Sequence, residues 1–428
     1  MKKIFKYAML FAMACSLTTS MTSCSSDDDV KPSGELSAGD KYLQQVLSSY
    51  VDNTVNPTYK ALADESEKLY NELEALQPGS ITQQQVNDVC KTFLEARGNY
   101  ERSEAFLLGA ASHFLIDPHI DSWPLDLQSL YNYIKADKKY KIDDQSILGF
   151  HGIEFILFRD GQPRKAAELN GHDTYNAGTN NFTIFTGAQE LEYAKAVAED
   201  LRNSVYRLEC SWNEDATKAH KDVLDELETS YTTDKGNSYG YEMKHAGDPV
   251  NSQYATVKIA VSSVLSGDHS AAGIADEVGN TKINNPFSGK DESYIESPYS
   301  YNSLTDFQNN IHSIENVWYG GVQGKRSEYS FSNYFKKYDA ATGKRVEDAI
   351  TNALKQIAAI KAPFVKNIKD PQCANAIKAC QELNDALTAA SDFIGKNNKG
   401  TIVLPRQTLR NTDMKELIFH ARVYRFIT

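Results

Sequence analysis

The sharpest group of chemically capable residues is Gly149-Phe150-His151-Gly152-Ile153-Glu154. On a helix, His151 and Glu154 stand i, i+3 and share one face. An imidazole beside a carboxylate offers two metal ligands, and helical bundles build metal centres from inward Glu/His pairs at this spacing. The apolar neighbours Phe150, Ile153 and Ile156 predict that the pair enters a packed region, where a charge needs a partner or a metal. Gly149 and Gly152 both lower helix propensity, which predicts a close approach by another backbone. An ordinary His–Glu helix pair, or a buried hydrogen-bonded histidine, satisfies the same spacing.

A second group is Arg97, Tyr100, Glu101 and Glu104. On one helix these fall within about 100° of arc, so one stripe carries a cation, a phenol and two acids. The bland alternative is a solvated face with an Arg97–Glu101 pair worth about 0.2–0.5 kcal/mol. Against it, Phe93, Leu94 and Phe106 bracket the stripe. Asp117, Asp121 and Asp126 flank Trp123-Pro124. They read as turn formers and caps, or as oxygen ligands for a hard cation, though without the pattern of an EF-hand loop. His113 and His119 read as surface or packing residues. Asp306 to Asn316 is unusually polar for a helix, with Asn309, His312 and Asn316 on one stripe and Glu315 beside it. Asparagine is a poor helix former, so this stretch is a buried polar network, a ligand face or a solvated face. None of the nine histidines forms HExxH, so a zincin is excluded.

The elements that must position these groups follow from composition and periodicity. The 428 residues are 41% apolar and 24% charged, with 24 Gly and 12 Pro, which excludes collagen-like, disordered and disulfide-scaffold classes. The net charge of −12 lacks the basic footprint of a nucleic-acid binder and suits a cation. Lys2, Lys3 and Lys6 precede an apolar run from Tyr7 to Leu17 that is too short to span a bilayer. Residues 1–23 therefore read as a secretory signal. Met21-Thr22-Ser23-Cys24 resembles a lipobox, with Cys24 the lipidated first mature residue, and Ser25-Ser26-Asp27-Asp28-Asp29 resembles an acidic export tag of surface lipoproteins. Cleavage there takes three positive charges from the net of −12, leaving −15. Residues 24–38 read as a tether. The spacing of Cys373 and Cys380 is about 10.5 Å of helical rise, too far for a disulfide on one helix. With no CxxC motif, buried free thiols are expected, and a Cys373–Cys380 pair requires Cys373 to lie outside the helix.

Helical periodicity dominates the rest. Ser80 or Thr82 starts a helix expected to run to about Phe114. Asp143 or Asp144 caps another to Phe158. Asp160 to Gly187 is a long irregular stretch, functional or mobile. Tyr254 to Val278 reads as one helix and Asn284 to Pro298 as loop, with Thr401-Ile402-Val403-Leu404 the only strand candidate. The Gly/Asn-rich stretch from Thr232 to Pro249 is the boundary candidate. The expected fold is all-α, with two helical-bundle domains at 39–235 and 236–428. An internal duplication would align Ser103–Gly109 with Ile314–Gly320, matching Glu104 to Glu315.

Several segments together resemble the imelysin family of bacterial surface and periplasmic proteins. They are Ala96-Arg97 with Tyr100 and Ser103-Glu104-Ala105-Phe106; Asp121 with Trp123-Pro124-Leu125; Gly149-Phe150-His151 with Glu154; Ile274 to Gly279; and Asn310-Ile311 through Val317-Tyr319-Gly320. The resemblance implies two bundle-like domains with a site at their junction. It implies membership of a group catalogued as metallopeptidases and associated with iron uptake, and metal ligation by His151 and Glu154. Glu104 is the expected third carboxylate, Arg97 the group that balances it, and Glu101 and Asp121 further acids, with Glu315 and Asn316 reaching the junction from the second half.

Three functions follow as expectations. The first is a lipid-anchored outer-membrane protein, surface-exposed or facing the periplasm, that binds iron or zinc and serves an outer-membrane iron transporter. The second is a metallopeptidase with Glu104 as base. It would need three protein ligands and an open position, and only one useful histidine is offered. The third is a docking module that binds no metal and recognises a protein ligand.

Overall fold

The computed structural model describes residues 36–136 and 142–396. The signal, Cys24, most of the tether and the Thr401–Leu404 strand candidate lie outside these. From Ala38 onward the chain forms one compact unit. The helices that build the site are α1 (Ala38–Ser49), α2 (Asn56–Ala75), α3 (Gln83–Glu101), α4 (Gly149–Leu157) and α5 (Gly187–Trp212). They continue with α6 (Val257–Leu265), α7 (Ala271–Glu277), α8 (Ser303–Tyr319), α9 (Ala340–Ala358) and α10 (Gln372–Lys396). Only two short antiparallel strand pairs occur among the described residues.

Each long helix buries an apolar stripe. On α2 it is Tyr59, Leu62, Leu69 and Leu73; on α5 it is Leu191, Val197, Leu201 and Leu208. These two helices pack together, with α3 on α2 and α4 on α5. A second group centres on α10, which packs on α6, α7 and α9. The groups interlock: α3 packs on α8, and α1 on α6. Burying one such side chain contributes about 1.5–3 kcal/mol.

Local chemistry sets the ends. Thr82, not Ser80, starts α3 through a reciprocal capping box with Gln85. The same device, Thr186 with Gln189, starts α5. The helix expected to reach Phe114 stops at Glu101, because Ser103 donates both its amide and its hydroxyl to the Tyr100 carbonyl, tightening the chain into a 3-10 turn over Glu104–Phe106. The expected helix from Tyr254 to Val278 is two, separated at Gly267 and at His269, whose φ is 56°. Residues Asn284–Ser288, read as loop, form a short helix. It continues from α7 through a wide π-helical turn, Val278–Ile283.

The long stretch after Asp160 is pinned. Asp173 pairs with Arg159 at 2.7 Å and Arg164 at 3.2 Å, and Arg164 also reaches Glu190 on α5 at 3.0 Å. The repeat is mixed. Gly109 and Gly320 both have positive φ, 72° and 70°, but only Gly320 is in the left-handed helical conformation, with ψ of 35° against −111° at Gly109. Glu104 lies on a 3-10 turn while Glu315 lies within α8. Cys90, Cys210, Cys373 and Cys380 are free and buried. Cys373 lies inside α10 with Cys380, which rules out their pairing.

Candidate metal centre

Two close approaches assemble the site. Gly149 begins α4 with φ of 76°, and an added Cβ would lie 2.3 Å from the Ile120 carbonyl oxygen. At Gly152 it would lie 2.2 Å from Tyr193 Oη. Gly149 thus lets α4 press against the segment ending at Asp121 while Gly152 lets it press against α5, and His151 Nε2 comes to 2.9 Å from Asp121 Oδ1. Trp123 packs against the imidazole as a tilted ring, its centroid 4.4 Å away.

Arg97 is the hub. It is 1% exposed, and its guanidinium pairs with Asp121, with Glu101 at 2.5 Å and with Glu296 at 2.7 Å, while Nε lies 3.8 Å from Asp306. The reading of this stripe as a solvated face is therefore overturned. Lys282 is the second buried cation, donating to Glu296 Oε1 at 3.1 Å and Asn310 Oδ1 at 3.2 Å. Asn310 in turn donates to Glu101 Oε2 at 2.5 Å. Tyr100 stands aside from the centre, its hydroxyl donating to Asp117.

Glu154 lies behind the imidazole. Its Oε1 accepts from the amides of Tyr299 and Ser300, at 3.1 and 2.7 Å, and from the Ser300 hydroxyl at 2.7 Å. Its Oε2 lies 3.5 Å from His151 Nδ1. Glu154 thus stands beside the imidazole with one oxygen tied to backbone amides and the other facing His151 Nδ1. Glu104 is buried, and the cation whose charge acts on its carboxylate is Lys282. Glu315 is not brought to the centre: Arg326 and His312 hold its carboxylate, each at 2.7 Å. Asn316 contributes its backbone carbonyl to Thr54.

The electrostatics are lopsided. Glu101, Glu104, Asp121, Glu154, Glu296 and Asp306 are six enclosed carboxylates. Arg97 and Lys282 are the permanent cations among them. Burial penalises the charged forms of Glu101 and Glu104, and both carboxyls stay well above the usual range despite Arg97 and Lys282. Burial likewise lifts Asp306 to about 6, against the pull of Arg97. Asp121 goes the other way: Arg97 and His151 overcome burial and hold it well below the usual range. Burial and Arg97 disfavour a charged imidazole, yet Asp121 and Glu154 outweigh them and raise His151 to about 9.

Two sets of ligand atoms converge within 4.8 Å: Asp121, His151 and Glu296, and Glu101, Glu104 and Asp121. Neither ring nitrogen of His151 has a partner in hydrogen-bond geometry, nor do Glu154 Oε2 and Glu296 Oε2. Buried polar atoms left this way are rare, and they fit a cation. Lys282, Glu296 and Asp306 were not among the expected site residues. Lys282 had a signal, a lysine on the apolar stripe of Ile274 and Val278. Glu296, in an irregular segment, had none.

The fold and centre together define a helical protein whose two groups of helices share a buried, carboxylate-rich site with a single imidazole. The family model for imelysin, labelled peptidase M75, matches residues 55–390, and the chain belongs to that family. Iron-regulated protein A of Synechococcus elongatus is 22% identical over 351 residues, covering 82% of this chain and 84% of that protein. A protein from Parabacteroides distasonis, described as a candidate iron-regulated protein A precursor, has a crystal structure with a TM-score of 0.69. It is 27% identical, covering 82% of this chain and 95% of that one.

Proposed function

We propose that this protein is an exported, lipid-anchored iron-binding protein that holds one metal ion at the His151 centre and serves iron uptake. The observation that carries this reading is the convergence of His151 Nε2 on Asp121 Oδ1 at 2.9 Å, outside hydrogen-bond geometry, beside surplus buried carboxylates. His151, Asp121 and Glu296 would hold the ion, with Glu104 as a further oxygen donor. A mixed imidazole–carboxylate set suits iron or zinc better than the all-oxygen sets of calcium or magnesium. Glu154 would fix the imidazole from behind. The names of the two relatives support a role tied to iron and, in the word precursor, export. No described helix is long and apolar enough to cross a membrane, which is consistent with an anchor at Cys24. The partner we propose is an outer-membrane iron transporter.

Binding is favoured over peptide cleavage by enclosure. A bound metal would supply Lewis acidity and an activated water, but a scissile amide needs a cleft at the ion. His151 is 1% exposed and Glu296 4%.

The test is titration of the purified mature protein with iron(II) and with zinc, beside His151→Ala and Asp121→Asn. One ion per chain in the parent and none in the variants is the expected result. No uptake of either metal by the parent refutes the reading. Metal-dependent cleavage of an unfolded protein, lost in His151→Ala, would replace it with the peptidase.

A further inference from the structure

We propose that Lys282 is the resident counter-cation of this centre, held on Glu296 and displaced from it when a metal ion binds. The inference rests on the metal-binding reading above and goes beyond it by naming what sets affinity and release.

Glu296 is the carboxylate over which the cations compete. Its Oε1 accepts from Arg97 at 2.7 Å and from Lys282 at 3.1 Å, while Oε2 has no partner. An ion held by His151, Asp121 and Glu296 would place a third cation on this group. Positive charges within about 4 Å of one another inside a protein repel by several kcal/mol, so one resident must give way. Arg97 cannot. It touches three carboxylates, lies near a fourth, and its guanidinium stands 5.6 Å from the centre of the Phe150 ring. Lys282 has one carboxylate and one amide oxygen at hydrogen-bond distance, and its nearest other acid oxygen, on Glu101, is 3.9 Å away. Its charge sits on a flexible four-carbon stem, rooted in the wide turn Val278–Ile283 rather than in regular helix.

Lys282 therefore does two things. Without metal it offsets part of the surplus negative charge and keeps Glu296 in place. With metal its displacement opposes binding, so the ion is held less tightly than the same ligands would hold it alone. A protein that hands its ion onward needs that weakening.

The experiment compares the purified mature parent with Lys282→Met, which keeps the stem and loses the charge, and Lys282→Arg, which keeps the charge. Zinc alone and manganese(II) alone are titrated calorimetrically, and thermal unfolding is followed with and without each ion. Lys282→Met should bind both ions about tenfold or more tightly than the parent, as loss of a nearby buried charge implies. Its melting temperature should fall without metal and recover with it by more than the parent gains. Lys282→Arg should bind no more tightly than the parent. Metal binding by the parent with equal or weaker binding by a folded Lys282→Met overturns this inference alone. If Lys282→Met does not fold without metal, rescue by zinc but not by sodium supports the inference, and absence of rescue overturns it. No binding by parent or variant removes the metal reading and this inference with it.

Discussion

Replacing Arg97 with Met isolates the electrostatics of the centre. The Met side chain fills most of the space of the arginine stem, so the loss is chiefly one buried positive charge. Four acids then lose their shared partner: Glu101, Asp121, Glu296 and Asp306. Lys282 is then the permanent cation that remains, beside the imidazole of His151. Breaking a buried ion pair from one side costs about 3–5 kcal/mol, a large part of the roughly 5–15 kcal/mol that keeps a protein folded. The pH dependence has a definite sign. Glu101 and Glu104 already lie well above the usual range, raised by burial, and Asp306 is lifted by burial to about 6. Removing Arg97 lifts Glu101 and Asp306 further. A carboxyl raised in the folded state favours folding below its unfolded value and loses that contribution as pH rises through its folded value. The deficit of Arg97→Met is therefore greatest in the alkaline range and shrinks on acidification. The assay is urea unfolding in chelator at pH 8 and pH 5.5. A deficit of about 3–5 kcal/mol at pH 8, smaller at pH 5.5, is expected. A deficit below about 1 kcal/mol, or one that grows on acidification, refutes the idea that Arg97 balances buried negative charge.

Other predictions are smaller in scope. Gly149→Ala combines a positive φ with a contact of 2.3 Å to the Ile120 carbonyl; it should cost about 2–4 kcal/mol and weaken zinc binding by displacing Asp121, and unchanged zinc affinity would refute this coupling. Asp173 is held at about 2 because its hydrogen bond with Glu190 and the charges of Arg159 and Arg164 overcome burial. Its contribution of about 1–2 kcal/mol, discounted for partial exposure, is present above pH 4 and lost toward pH 2. The deficit of Arg159→Met in urea unfolding should shrink over that window, and a constant deficit would count against it. Burial pushes the thiols of Cys90, Cys210 and Cys380 up to about 12 and that of Cys373 to about 11. In the native protein these four should resist a thiol-specific disulfide reagent at pH 8 and react after unfolding; rapid native labelling of any of them would show a mobile interior.

The half of the centre that precedes the boundary segment was legible because its chemistry sits on regular spacing. His151 and Glu154 share a helix face, and Arg97 and Glu101 are one turn apart. The glycines at 149 and 152 announced a close approach. What spacing could not reveal is which acid meets which base across the fold: Arg97 and Glu296 are separated by 199 positions, and Glu296 lies where no periodicity exists. Glu154 was legible as a site residue, but its role depended on the amides of Tyr299 and Ser300. Glu315 is nine residues after Asp306, and at 3.6 residues per turn that is about 180° around α8; once the structure puts Asp306 in the centre, Glu315 must face away, which spacing alone did not decide.

The centre draws Arg97, Glu101, Glu104, Asp121, His151 and Glu154 from one stretch of chain, and Lys282, Glu296, Asp306 and Asn310 from another. Neither stretch is electroneutral by itself, and each is a poor host for its own charges. A nascent chain still lacking its second stretch, or one severed between Thr232 and Pro249, has the imidazole without Glu296 and the acids without Lys282. The complete centre thus exists only once both stretches of chain are present and docked. If it holds an ion as proposed, only a chain that has finished folding can do so.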